Sequence, residues 1–188
     1  MKPTRSSQPY VIGVLPLGKV DHEFLSRLSE RLEEIFEGCR TKLERPCDLQ
    51  ATSYDPSRNQ YHSTRILTSL SELAMKSNLV RLLGVTDVDL YVPSLNFVFG
   101  EAECPGNVAV ISIFRLEPKF YGEENGSLLS QRAVKEAVHE LGHTFGLSHC
   151  DDSSCVMFFS NSICDTDRKH ETFCDRCVQL VRKAVQRR

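Results

Sequence analysis

Residues 138–150 read VHELGHTFGLSHC, and this stretch holds the side chains best suited to chemistry. His139 and His143 are four positions apart, so on a helix they share one face and can both reach a single metal ion. Glu140 follows the first histidine and projects towards the open side of such a metal, where it can take a proton from a bound water. The five-residue pattern alone also fits a charged helix that merely carries two histidines. Its continuation separates the two readings, because Gly146 comes three residues after His143 and His149 three after that. Glycine readily takes the left-handed conformation that ends a helix, so the chain can turn there and swing the third imidazole back to the same ion. Three protein ligands with one open position describe a catalytic zinc site, whereas a structural site is closed by four.

The cysteines form a second constellation. There are eight, at 39, 47, 104, 150, 155, 164, 174 and 177, and five of them follow residue 149. Cys150, Cys155, Cys174 and Cys177 offer four thiolates in two groups, the arrangement of a tetrahedral structural zinc site. Only 39 residues follow His149, too few to build a stable core unaided, so a metal cross-link would supply much of the missing folding free energy. A redox C-x-x-C at 174 to 177, or disulfides, are the competing readings, disfavoured by a reducing compartment and by the lack of a strand before that pair. Cys164 is a fifth candidate ligand, while Cys39, Cys47 and Cys104 are expected as buried apolar side chains.

HELGHTFGLSH matches the extended motif of the metzincin clan of metallopeptidases, and within that clan the chain resembles the archaemetzincins. The resemblance rests on Cys150, Cys155 and Met157 in HCDDSSCVMFFS, and on the later pair Cys174 and Cys177 in FCDRC; together they cover about the last quarter of the chain. It implies two zinc ions: a catalytic one on His139, His143 and His149 with Glu140 as general base, and a structural one on Cys150, Cys155, Cys174 and Cys177, with Cys164 left out. Met157 would form the floor beneath the first ion by packing alone. Some metzincin relatives add a tyrosine ligand shortly after that methionine, but no tyrosine follows Tyr121 here, so three histidines and a water are expected. Since Cys150 directly follows His149, Cys174→Ser is expected to weaken the catalytic site as well.

The function so implied is zinc-dependent hydrolysis of peptide bonds, with an aminopeptidase acting on short peptides as one form of it. Substrate would lie as an added strand along the edge segment 96–102. Glu101 or Glu103 at its end could hold a free amino terminus, or could simply guard an exposed edge against aggregation. The alternative is a catalytically silent, zinc-stabilised peptide-binding protein. Glu140 favours the enzyme, since a purely structural metal requires no base there.

Elements must carry these residues. Tyr10 to Leu15 reads as a buried strand closed by Pro16 and Gly18, and Asp21 can cap a helix to about Phe36 with Gly38 as its stop. Thr41 to Leu49 is expected as a strand, 53–63 as a loop, and Thr64 to Leu83 as a helix ended by Gly84. Three strands follow, at 85–92, 96–102 and 108–116, the last nearly all apolar and hence central. After a flexible segment, Lys119 to Gly126, Ser127 or Ser130 would cap the helix that bears the histidines. The fold class is α+β (mixed α/β) and metzincin-like. It would have a twisted mixed sheet with an edge strand over the cleft, backing helices, an active-site helix and a small zinc-stapled C-terminal part. Residues 1–188 would form one domain, with subdomains at about 8–146 and 147–188.

Composition sets the outer bounds. Forty per cent apolar and 26% charged residues in 188 fit an ordinary globular chain, and a net charge of -2 argues against a protein built to neutralise phosphates. A peptide is therefore the expected partner, not nucleic acid or a membrane, since no run of about 18 apolar residues occurs. The first residues read as a disordered leader without a secretory cleavage site, which points to the cytoplasm, and a monomer without a pro-segment is expected.

Overall fold

The computed structural model describes residues 9–187, so most of the expected leader lies outside the described residues. Tyr10–Leu17 (β1), an almost wholly apolar run, lies between two parallel neighbours, Cys39–Leu43 (β2) and Arg81–Thr86 (β5). Beyond β5 come Val108–Ser112 (β8), again parallel, and Gly100–Ala102 (β7), antiparallel at the edge. The sheet order is thus β2-β1-β5-β8-β7. Four parallel strands need crossovers, and the helices that supply them cover both faces. His22–Ile35 (α1) and Ser127–Thr144 (α3) lie on one side, where Leu28, Leu32, Ala137 and Leu141 meet Leu83, Ala109 and Ile111. Ser63–Ala74 (α2) lies on the other, where Ile66, Leu67 and Leu70 meet Leu82, Val108 and Val110. Successive strand residues therefore serve two separate cores, as the two-residue period of a strand requires.

Local signals explain several boundaries. The Asp21 carboxylate accepts from the Phe24 backbone N–H at 2.8 Å and caps α1, a bond worth about 1 kcal/mol to the helix. Gly38, with φ +74°, turns the chain into β2.

Other boundaries differ from expectation. β1 runs two residues further, through Pro16, because that residue's missing N–H falls where β2 has already ended at Leu43. β2 itself starts and ends earlier than expected. Segment 53–63 is not a plain loop: Tyr54–Asp55 (β3) and Gln60–His62 (β4) pair antiparallel, and Leu90–Tyr91 (β6) joins β4 in a small second sheet. The helix expected to reach Leu83 stops at Ala74, and Arg81–Thr86, including Gly84, is a central strand. Leucines at 79 and 82 continue a helical spacing by coincidence, while Leu82 and Leu83 are both buried because each faces one of the two cores. The apolar run at 108–116 leaves the sheet after Ser112 and finishes as a 3-10 turn, Phe114–Leu116. Pro118–Tyr121 is likewise a 3-10 turn. The N-cap of α3 is Gly126, not Ser127 or Ser130, and the Asn125 side chain accepts from Ser127 N–H at 3.1 Å instead.

After α3 the chain folds back on its own end. Ile163–Arg168 (α4) and Asp175–Gln186 (α5) are joined to the α1/α3 core through Phe173, Cys177 and Val181. Buried Arg132 on α3 holds Asp167 through two hydrogen bonds of 2.8 Å each.

Candidate metal centres

α3 ends at Thr144, and Gly146 takes φ +86°, a conformation costly for any residue with a Cβ. The break sends His149 back across the helix end. Ligand nitrogens of His139, His143 and His149 all lie within 4.8 Å of one another, with the His139 and His143 Nε2 atoms 3.1 Å apart. Two main-chain carbonyls set this convergence: His139 Nδ1–H donates to Val156 O at 2.8 Å, and His143 Nδ1–H to Leu147 O at 2.7 Å. A neutral ring protonated at Nδ1 carries its lone pair on Nε2, so two such pairs face each other. Tetrahedral zinc with Zn–N near 2.0–2.1 Å needs nitrogens about 3.3 Å apart, close to what is found. Burial lowers the basicity of all three imidazoles, most strongly at His139, and the nearby Lys169 charge lowers it further. They are held in the neutral form that binds metal.

Glu140 is buried beside this triad, and burial, reinforced by Glu136, pushes its carboxyl well above the ordinary range. Its approach to the edge strand depends on a missing side chain. A Cβ at Gly100 would stand 2.7 Å from Glu140 Cγ and 2.9 Å from Oε1. β7 and the segment before it, 95–102, form one wall of an open cleft of about 430 Å³; Glu136, Glu140 and the three histidines form the floor, and Phe159, Ser160 and Asn161 the far side. Met157 is fully buried, and a Cβ on Gly142 would collide with its sulfur, so the methionine packs directly under the histidine turn. The Phe159 ring rests on His149, centroids 4.8 Å apart. The Glu101 carboxylate lines the cleft and accepts hydrogen bonds from the Ser63 and Thr64 hydroxyls, the latter at 2.8 Å.

The second centre lies on the other side of His149. Sulfurs of Cys150, Cys155, Cys174 and Cys177 fall within 4.8 Å of one another, and the Cys150 and Cys174 sulfurs are 3.9 Å apart, against about 3.8 Å for two thiolates on tetrahedral zinc. Arg176 donates to Cys150 Sγ at 3.2 Å and places a cation beside thiolates that would otherwise carry uncompensated charge. Cys164 is exposed and apart from this group. Cys39 is buried as expected, but Cys47 and Cys104 are exposed, since each lies on a connection at the surface and not inside a strand.

Comparison with known proteins decides the family. Residues 23–183 match Peptidase family M54. The archaemetzincin of Pyrococcus furiosus is 44% identical over 182 residues, covering 94% of this chain and 95% of that protein. The chain belongs to peptidase family M54. The family member from Methanocaldococcus jannaschii is 45% identical over 169 residues, covering 89% of this chain and 90% of its own. Among solved structures, the archaemetzincin of Methanopyrus kandleri superposes with a TM-score of 0.84 at 37% identity, covering 98% of this chain and 99% of the other. That of Archaeoglobus fulgidus, complexed with malonate, gives 0.77 at 40% identity, covering 90% and 99%. Membership makes this protein an archaemetzincin-type zinc metallopeptidase, with peptides as its substrate class.

Sequence reasoning passed over Glu136, which lines the cleft, and Lys169, buried behind it. Lys169 is 1% exposed and its ammonium pairs with Glu136 at 3.0 Å, one helical turn before His139 and Glu140. Glu136 falls on the same helix face as His139, Glu140 and His143, a spacing that could have pointed to it. Nothing in the sequence around Lys169 could have done so.

Proposed function

We propose that the protein hydrolyses peptide bonds in the cleft between β7 and α3, with His139, His143 and His149 holding the catalytic zinc and Glu140 acting as general base. Convergence of three neutral imidazole nitrogens beside a buried carboxylate carries this reading. When bound there, zinc supplies a Lewis acid that polarises the scissile carbonyl and makes a water acidic enough to attack at neutral pH. Glu140 takes the proton of that water and delivers it to the leaving nitrogen. The free edge of β7 offers main-chain groups to an extended peptide, which binds as an added strand and is recognised by its backbone. In this reading Glu101, which accepts from two hydroxyls at the start of α2, receives a free amino terminus, which would make the enzyme an aminopeptidase on short peptides.

Cys150, Cys155, Cys174 and Cys177 hold a second, structural zinc in this reading, so the chain carries two ions, with Met157 packed beneath the first. Residues to about 146 form one subdomain and the remainder a second, whose own segments that ion would staple together, since all four cysteines lie after residue 146. Reduced thiolates of this kind belong to the cytoplasm.

The test is digestion of a mixed peptide pool followed by mass spectrometry, with the zinc-loaded chain and its Glu140→Ala variant side by side. New termini made only by the parent support hydrolysis. Identical pools would favour a silent peptide binder. Repeating the digestion with amino-acetylated peptides tests the aminopeptidase form, and a Glu101→Gln variant that discriminates free from blocked peptides as the parent does would exclude the role given to Glu101.

A further inference from the structure

The cleft is acidic. Glu101, Glu136 and Glu140 line it, and among the described residues no lysine or arginine does. Glu136 makes both of its contacts through one oxygen: Oε1 pairs with Lys169 Nζ at 3.0 Å and accepts from Thr166 Oγ1 at 3.1 Å. Oε2 has no hydrogen-bond partner among the described residues, on a side chain that borders the cavity. Ser160 lines the same cleft, and its Oγ is buried without a partner. The remaining walls are apolar or aromatic: Leu95, Phe97, Phe99 and Phe159.

Resting on the peptidase reading above, we propose that Glu136, with Ser160, forms the polar end of a side-chain subsite that selects a lysine or arginine of the peptide substrate. The aromatic walls accept the long aliphatic stem, as such stems lie along apolar surface while the charged head reaches a polar partner. The head donates to Glu136 Oε2 and Ser160 Oγ, both of which need a donor. Lys169 is itself too buried to touch substrate. Its contribution is to offset the cost of keeping a carboxylate at a position only 3% exposed, leaving one oxygen free towards the cleft. A strut joining α3 to the end of α4 would account for Lys169 and Thr166. It leaves unexplained why two residues lining one cleft each keep an oxygen without a partner among the described residues.

The test measures binding, so that it stands even if turnover is slow. Alanine tetrapeptides carrying lysine at each position in turn, and the same set with norleucine, are titrated calorimetrically into the zinc-loaded Glu140→Ala chain. Lysine should bind about ten-fold more tightly than norleucine at one position, the gain typical of a charge-assisted hydrogen bond. Glu136→Gln alone strands a buried ammonium and can unfold the chain, so the comparison adds the paired change Glu136→Gln/Lys169→Met, with folding checked by melting. There the lysine preference should vanish. Equal affinities in the Glu140→Ala chain, or a preference that survives loss of Glu136, would overturn the subsite. If the intact chain digests nothing, the peptidase reading falls, whereas the lysine preference still decides this one.

Discussion

The two metal-binding clusters are neighbours in sequence, His149 being followed by Cys150, yet they are built on opposite principles. The histidine cluster is arranged by a structure that exists without it: a helix anchored in the main core, a glycine break, and two carbonyls that orient the rings. It opens on a cleft. The cysteine cluster is closed and largely buried, and draws together the turn at 150–155 and the start of α5, beside the apolar contacts that join both to the core. In the proposed reading one centre would be positioned by the fold so that it can react, and the other would hold the fold in place. In that reading the difference teaches that the same ion would be a reagent or a fastener depending on what surrounds its ligands.

The sharpest way to break this contrast is to remove one thiolate. Cys174→Ser should lower the melting temperature strongly and expose the region after residue 149 to proteolysis, because structural zinc contributes on the order of 10 kcal/mol to such folds. Titration should also show weakened zinc binding at the histidines; an unchanged histidine site would mean the centres are independent. Next in size, Glu140→Ala should cut turnover by roughly 10²–10⁴ while the zinc content stays that of the parent. A loss of zinc with the activity would show Glu140 to be a ligand and not a base.

Proton dependence sharpens the comparison from the histidine side. In the folded, metal-free chain His139 resists protonation, while in the unfolded chain it titrates near 6.5. The unfolded state therefore binds more protons below that pH, and stability must fall as pH falls. The slope approaches about 1.4 kcal/mol per pH unit from His139 alone. Glu140 works the other way, its raised affinity favouring the folded state as pH drops, so the measurement belongs in metal-free Glu140→Gln. Melting that is flat from pH 7 to 5 would contradict the buried, neutral imidazole. Smaller again, Gly146→Ala should cost about 1–2 kcal/mol for the left-handed turn, read by denaturant unfolding, and should displace His149 more than His143. The smallest effect expected is that of Cys164→Ser, within about 0.5 kcal/mol of the parent, with zinc stoichiometry unaltered.

What could be read from sequence follows from range. The pairing of His139 with His143 and the turn at Gly146 depend on positions within a few residues, where helix periodicity and glycine's freedom act directly. Cys174 and Cys177 declared themselves by spacing, although their meeting with Cys150 and Cys155 is a property of the fold. The α2 to β5 stretch misled because leucines at 79 and 82 prolong a helical rhythm, and only the two-sided burial of Leu82 and Leu83 shows a strand. The small β3-β4-β6 sheet was illegible for the opposite reason, since strands two or three residues long carry no period. Glu136 and Lys169 were missed because a buried ion pair has no local signature; its members are separated by the whole Met157 turn and α4.

Val156 accepts a hydrogen bond from His139 through its carbonyl and gives one to Thr172 through its N–H, at 2.8 and 3.0 Å. A single peptide backbone thus joins the ring that would carry one metal to the strand of chain leading into the thiols that would carry the other. The side chain of Val156 takes no part in that joint. A substitution at residue 156 that keeps its backbone N–H and its buried volume would leave the joint standing, so the two centres are coupled there by main chain and not by the identity of a side chain.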